Sequence, residues 1–234
     1  MVDGYAAGRG PVLRRGRRSP GPPRPTRGGR RVSLGRARGL AGAALAGYVL
    51  GGLPSADVAA RLGTSEPVDL RTAGSGNPGA VNALAVLGPR WGYAVMAADI
   101  AKGAAACRLG RRLAGAPGEH LGGTAAVIGH CFPAWSGFRG GKGVACSVGQ
   151  CLATFPAYFP IDLGVAALTG AGPWRRRARA ATLVACLSWV GAGLLWWRRG
   201  WSNAWGPAPG PGLPLAAAAS SAVIAHRVLA PRRP

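Results

Sequence analysis

The sequence predicts an all-α protein, a polytopic membrane bundle of about seven transmembrane helices whose glycine-rich loops carry the chemistry. Three observations point there. Apolar stretches rich in Ala, Leu, Gly and Val recur from about residue 40 to residue 229. Charges are scarce inside them and gather in the short segments between them. Gly and Pro are frequent within them, which a membrane bundle tolerates because small residues let helices approach closely. A soluble helical protein would instead alternate polar and apolar faces at a period of roughly 3.6 residues.

Taken in order, the first 38 residues stand apart. They hold eleven arginines and one acid, Asp3. A segment so rich in Arg, Gly and Pro cannot bury enough apolar surface to offset its ordering entropy. It is expected to be a disordered tail (1–38) ahead of a membrane domain (39–234), and it lacks the layout of a simple signal peptide. The apolar stretches then run over about 40–62, 83–109, 121–135, 144–159, 161–171, 180–197 and 213–229. A spanning helix takes about 20 mostly apolar residues. The fourth and fifth are short and read equally as one broken segment.

Polar segments 63–82, 137–143, 174–179 and 226–234 fall on one side if all seven stretches span. Excluding the tail, that side holds Arg61, Arg71, Arg139, Lys142, Arg175, Arg176, Arg177, Arg179, Arg227, Arg232 and Arg233. The other holds Arg108, Arg111, Arg112, Arg198 and Arg199. The excess of Lys and Arg puts the four segments in the cytoplasm, on a multi-pass inner-membrane protein. The arginine tail would then lie outside, against the same rule. Either the topology is unusual or the true start lies further along, and the second is the reading preferred.

The formal net charge of +22 would suggest nucleic acid in a soluble protein. Here the basic residues sit at the ends of apolar stretches, where they face lipid headgroups. No nucleic-acid motif is present, and no nucleic-acid partner is expected. Cys107, Cys131, Cys146, Cys151 and Cys186 form no CxxC pair. They are read as small hydrophobes, with no metal.

Three segments carry chemistry. In residues 69–82, glycines alternate through Gly74, Gly76 and Gly79 beside Arg71, Ser75, Asn77 and Asn82. Glycines let backbone N–H groups converge on an anion, and Arg71 can add a bidentate contact. In residues 129–143, Arg139 and Lys142 flank Gly140 and Gly141, with Gly143 following. This too suits an oxyanion, and it is not a Walker A loop. His130 precedes it. Asp99 and Lys102 lie three apart on one helical face, an ion pair that is either structural or functional.

The runs GSGNPGAVN, DIAKG (from Asp99) and GHCFPAWSGFRGGKGVAC (from Gly129) resemble the bacterial acyl-phosphate-dependent glycerol-3-phosphate acyltransferases. GGLPSADVAARL (from Gly51) resembles that family's first-helix motif. The similarity covers everything but the tail. It implies a seven-helix membrane enzyme that moves a fatty acyl group from acyl phosphate to the 1-hydroxyl of glycerol 3-phosphate. The products are lysophosphatidate and phosphate, in phospholipid synthesis. No cofactor and no metal are implied, and a monomer among membrane lipids is expected. Carried onto this chain, the resemblance puts His130, Lys102, Ser75, Asn77 and His226 in catalysis. It puts Arg71, Gly74, Gly76, Gly79, Asn82, Arg139, Gly140, Gly141, Lys142 and Gly143 in phosphate binding.

The chain departs from the family pattern at four places. Gly52 stands for a usual Ser, Val81 and Cys146 for Thr, and Leu229 for an Asn that follows the matching His226 and Arg227. Pro231 also interrupts the last motif. These departures leave one alternative, a diverged, weakly active or inactive relative that binds lipid phosphates. A transporter would show an internal repeat, and none is apparent.

Overall fold

The computed structural model describes residues 27–66, 68–171 and 178–230. Their regular structure is helical, with no strand among them: α1 (Arg27–Gly51), α2 (Ser55–Gly63), α3 (Ala80–Leu87), α4 (Pro89–Cys131), a 3-10 turn (Ala134–Ser136), α5 (Val144–Thr154), α6 (Phe159–Ala171), α7 (Ala178–Arg199) and α8 (Gly212–Leu229). The helix α1 takes in twelve residues that composition assigns to the tail. Residues 33–38 are exposed there. Once the apolar part is nucleated, each further helical turn costs little. Residues 1–26 lie outside the described residues.

The first apolar stretch, continuous in the sequence, is broken. Pro54 lacks an N–H and its ring clashes with a preceding carbonyl, so the helix stops at Gly51 and restarts as α2. This break exposes the Leu53 carbonyl to α4, a point on which the functional site depends.

α4 turns back on itself. Ala114 and Gly115 (φ +64°) leave the helical region, and a Cβ on Gly110 would overlap the Gly118 carbonyl eight residues on. The same holds for Gly122 against Ala106, so the two arms run antiparallel. These arms correspond to the second and third apolar stretches. Only glycine fits the positive φ of the turn without strain.

Small residues bring the backbones together. A Cβ at Gly47 would overlap the Gly122 carbonyl, one at Gly51 that of Ala126, and one at Gly129 that of Tyr48. Thus α1 lies against the second arm of α4 with no side chain between. Gly103 and Gly149 do the same between the first arm and α5. Close backbone approach of this kind holds helices together where lipid offers no hydrophobic drive.

All five cysteines are free thiols and buried, as expected of small hydrophobes. Cys131, Cys146 and Cys186 join Val127, Ile224 and Val228 in one apolar cluster. Beside it the Gln150 amide donates to Thr124 Oγ1 (3.3 Å) and accepts from Ser220 Oγ (2.8 Å), linking α4, α5 and α8.

By length and composition, three segments among the described residues can cross a membrane: Ser33–Gly63, Ala178–Arg199 and Gly212–Leu229. α5 is apolar but short. The arms of α4 carry Asp99, Lys102, Arg108, Arg111, Arg112 and Glu119, and these charges lower their hydropathy. α7 is the least embedded of the three, with 17% of its apolar window buried. Its Val184, Leu187 and Leu195 are left exposed, as on a lipid-facing surface. The chain is a helical membrane protein.

Candidate functional site

Segments far apart in sequence meet at one end of the bundle. The break after α1, the first glycine-rich loop, the middle and end of α4 and the second loop contribute, with the last turn of α8 backing the second loop. They enclose a small polar cleft of about 30 Å³. Its wall includes residues 51–57, Arg71, Pro78, Lys102, His130, Trp135, Ser136, Gly140 and Gly141. Three of the four polar segments expected on one side thus converge. Most of the fourth, 174–177, lies outside the described residues.

The centre is a buried charge cluster. Asp99 (1% exposed) accepts from Ser55 Oγ at 2.6 Å and from Lys102 Nζ at 2.9 Å, both on Oδ1. His130 Nδ1 faces the same oxygen at 3.7 Å, close enough for charge attraction but too long for a hydrogen bond. His130 Nε2 lies against Gly141, where a Cβ would overlap it. The ring is held between a carboxylate and the second loop, with its edge on the cleft.

Lys102, expected from the sequence to act in catalysis, is saturated instead. Its ammonium has three N–H groups, and they go to Asp99, Ser55 Oγ (2.8 Å) and the Leu53 carbonyl (2.5 Å). It braces α4 to the break left by Pro54.

Arg71 is also committed to protein partners. Its Nη1 and Nη2 grip both oxygens of Asp57 (2.6 and 3.1 Å), and Nε donates to the Arg139 carbonyl at 2.9 Å. The hydrogen bond to Asp57 foremost, and the charges of Asp57 and Asp69, raise its pKa further. Arg71 ties the first loop to α2 and to the second loop, and only its remaining donor capacity faces the cleft.

The rest of the first loop is internally braced. Asn82 (2% exposed) accepts from the Ser75 N–H (2.8 Å) and donates to the carbonyls of Leu70 (3.0 Å) and Ala73 (2.9 Å). Expected as a phosphate ligand, it is the pin of its own loop. Gly74 (φ +61°) packs on that amide, and Gly76 (φ +71°) makes the turn. Gly79 N-caps α3, with the Asn77 amide beside it. Ser75, Asn77 and these glycines lie outside the cleft wall, so they shape the loop rather than line the cleft. Replacing Asn82 with Ala strands three backbone groups. The expected cost is about 1–3 kcal/mol, measured as a lower unfolding midpoint in detergent.

The second loop presents carbonyls where convergent amides were expected. Gly140 N–H donates to the Cys131 carbonyl and Gly141 N–H to that of His130. Their own carbonyls accept from Arg227, Nη2 to Gly140 (2.5 Å) and Nε to Gly141 (3.1 Å). Arg139 and Lys142 are exposed beside the cleft and not in its wall. Gly143 (φ +84°) N-caps α5 against Cys131.

His226, expected as a second base, is exposed, and its ring tilts on Phe132 at 6.0 Å between centroids. One residue on, the helical rotation of α8 carries Arg227 onto the loop. Arg227, Ser55 and Asp57 are site residues absent from the sequence expectation. The signal for them was present, in the first-helix run and in the matching His226-Arg227 pair.

Of the departures from the family pattern, Gly52 lines the cleft and Cys146 is buried in the apolar cluster. A Cβ at Gly52 would overlap the Trp135 ring, whose Nε1 donates to the Gly52 carbonyl (3.0 Å). Hydroxyls reach the cleft wall from Ser55 and Ser136 instead. Val81 and Leu229 are 81% and 58% exposed and off the cleft wall. Pro231 lies outside the described residues.

Residues 41–230 match the family model described as glycerol-3-phosphate acyltransferase. A curated glycerol-3-phosphate acyltransferase of Jannaschia sp. (strain CCS1) is 41% identical over 148 residues, 62% of this chain and 70% of that one. Another, from Symbiobacterium thermophilum, is 40% identical over 129 residues, 55% of this chain and 63% of that one. Among solved structures, PlsY (YgiH), an integral membrane glycerol 3-phosphate acyltransferase, is similar in its glycerol 3-phosphate form. The TM-score is 0.66 at 29% identity, over 80% of this chain and 87% of that one. Its lysophosphatidic acid form gives 0.65 at 27% identity.

Proposed function

This chain belongs to the glycerol-3-phosphate acyltransferase family, and we propose that it moves a fatty acyl group from acyl phosphate to the 1-hydroxyl of sn-glycerol 3-phosphate. The observation that carries this reading is the polar cleft, where a buried Asp99–His130 pair meets two loops and the side chains of Arg71 and Lys102. The products would be lysophosphatidate and phosphate. The reaction makes one ester bond at the acyl carbon and breaks its bond to the phosphate oxygen.

In this reading His130 takes the proton of the attacking hydroxyl. Asp99 fixes the imidazole and offsets the charge it gains. The remaining donors of Arg227 and Arg71, with Lys142 and Arg139 at the rim, hold the phosphates and stabilise charge on the leaving group. Phosphate leaves readily, so the transfer is direct. Ser55 supports that view, because its hydroxyl donates to Asp99, already paired with Lys102, and not to the His130 imidazole. The cleft would face the cytoplasm of the inner membrane, as the distribution of Lys and Arg suggests. The exposed positions of Val81 and Leu229 favour an active enzyme over an inactive lipid-phosphate binder.

The test uses membranes from a host depleted of its own enzyme. Labelled glycerol 3-phosphate is supplied with lauroyl or palmitoyl phosphate, or with the matching acyl-CoA. Labelled lysophosphatidate is expected from acyl phosphate alone, with His130→Ala lowering turnover by about 10²–10⁴-fold. Product from acyl-CoA alone would reassign the donor. Undiminished turnover in His130→Ala would remove the histidine as base.

A further inference from the structure

The cleft read above as a phosphate site has a carboxylate in its wall. Asp57 stands there beside Arg71, its side chain 29% exposed. A negative group at that point repels the charge the site is read to bind. Arg71 holds both of its oxygens, Nη1 on Oδ1 at 2.6 Å and Nη2 on Oδ2 at 3.1 Å. This is the fork in which a guanidinium also grips a phosphate. The other donors are largely taken: Nε by the Arg139 carbonyl, and Nη1 again by Asp69 at 3.3 Å. Of the five guanidinium N–H groups, one on Nη2 is left, too few for a paired grip on a phosphate. The volume between the walls, about 30 Å³, takes about two waters and not glycerol 3-phosphate.

We propose that Asp57 is a stand-in for a substrate phosphate: it holds Arg71 in place until the phosphate displaces it from the two Nη groups. The inference deepens the acyl-transfer reading above and rests on it. The exchange asks little of the fold. Asp57 is short and partly open to solvent, so a change of rotamer trades the guanidinium for water. Its helix is anchored without it. Ser55 bonds to Asp99 and Lys102, and Ala56, Ala59 and Ala60 are buried. Arg71 keeps its bond to the Arg139 carbonyl throughout, so the freed Nη groups stay beside the second loop.

The test compares wild type, Asp57→Asn, Arg71→Ala and the double variant in detergent. Calorimetric titration gives Kd for glycerol 3-phosphate and for inorganic phosphate, and kinetics give KM for glycerol 3-phosphate and for lauroyl phosphate. Asp57→Asn keeps the shape of the side chain and removes its charge. It is expected to lower the Kd or KM of one substrate about tenfold, the factor lost when a competent guanidinium is free about one-tenth of the time. The substrate whose constant falls is the one Arg71 serves. Turnover does not rise, because ground state and transition state gain alike. A residue that merely positions Arg71 gives the opposite sign, and a raised KM for both substrates overturns the inference, as does no change in either. The gain from Asp57→Asn is expected to vanish in the double variant. A gain that persists without Arg71 is plain charge repulsion and overturns the exchange. If Asp57→Asn does not fold, the same measurements on Asp57→Ala decide. Wild-type protein that binds neither glycerol 3-phosphate nor phosphate, and turns over no acyl phosphate, overturns the reading of the cleft and the role of Asp57 with it.

Discussion

Methionine at position 102 will leave Asp99 as an uncompensated carboxylate inside the bundle, and the protein will lose about 3–5 kcal/mol of stability. The loss follows from the geometry. Asp99 is 1% exposed, and Lys102 lies 2.9 Å away with its other two N–H groups on Leu53 and Ser55. Removing the ammonium also takes one of two donors from the Leu53 carbonyl, which keeps the Ser55 N–H at 3.0 Å. Neutralising the acid in the same chain, as Asp99→Asn with Lys102→Met, should recover most of the lost stability. The two losses will not add, because both report one interaction. Unfolding midpoints in detergent for the two single variants and the double measure this directly. If Lys102→Met is as stable as wild type, Lys102 is not a brace, and its expected catalytic role returns. The double variant, folded and lacking the carboxylate that faces His130, should remain poorly active. Stability and chemistry would then separate in a single chain.

Alanine at position 141 should cost about a hundredfold in turnover while disturbing stability far less. A Cβ there would overlap His130 Nε2, so the imidazole or the second loop must move. Misplacing a reacting group by about 1 Å is worth roughly that factor. The same shift would pull the Gly141 carbonyl from Arg227 Nε, now at 3.1 Å. Gly137 supplies the control on the same loop. It has φ +59°, and a Cβ added there would meet no atom within 4 Å. Gly137→Ala therefore carries only backbone strain, about 1–2 kcal/mol, with turnover kept. Equal activity in Gly141→Ala and Gly137→Ala would show that His130 does not work from the position it holds against this loop.

Much of the fold was legible because its causes are local. Apolar stretches free of charge make helices in a membrane whatever their neighbours. Ala114–Gly115 falls between the second and third apolar stretches, where the sequence already breaks. Pro54 stops α1 by its own covalent geometry, although the stretch around it reads as continuous. The site was legible as a set of segments and less so as a set of roles. Asp99 and Lys102 read correctly as a pair three residues apart, because helical spacing alone puts them on one face. Asn82 and the Gly140–Gly141 amides were read as anion donors from composition, yet each meets a carbonyl or amide of the protein itself.

Composition and spacing within single segments were enough to make this chain a helical membrane protein with two glycine-rich loops and a charge pair inside an apolar helix. They could not say which polar groups face the cleft and which hold it together, and that was settled by packing. Lys102 meets Leu53 across 49 residues, Arg71 meets Arg139 across 68, and Arg227 meets Gly140 across 87. A donor's role depends on whether an acceptor already occupies it, and those acceptors come within reach only once the helices have packed.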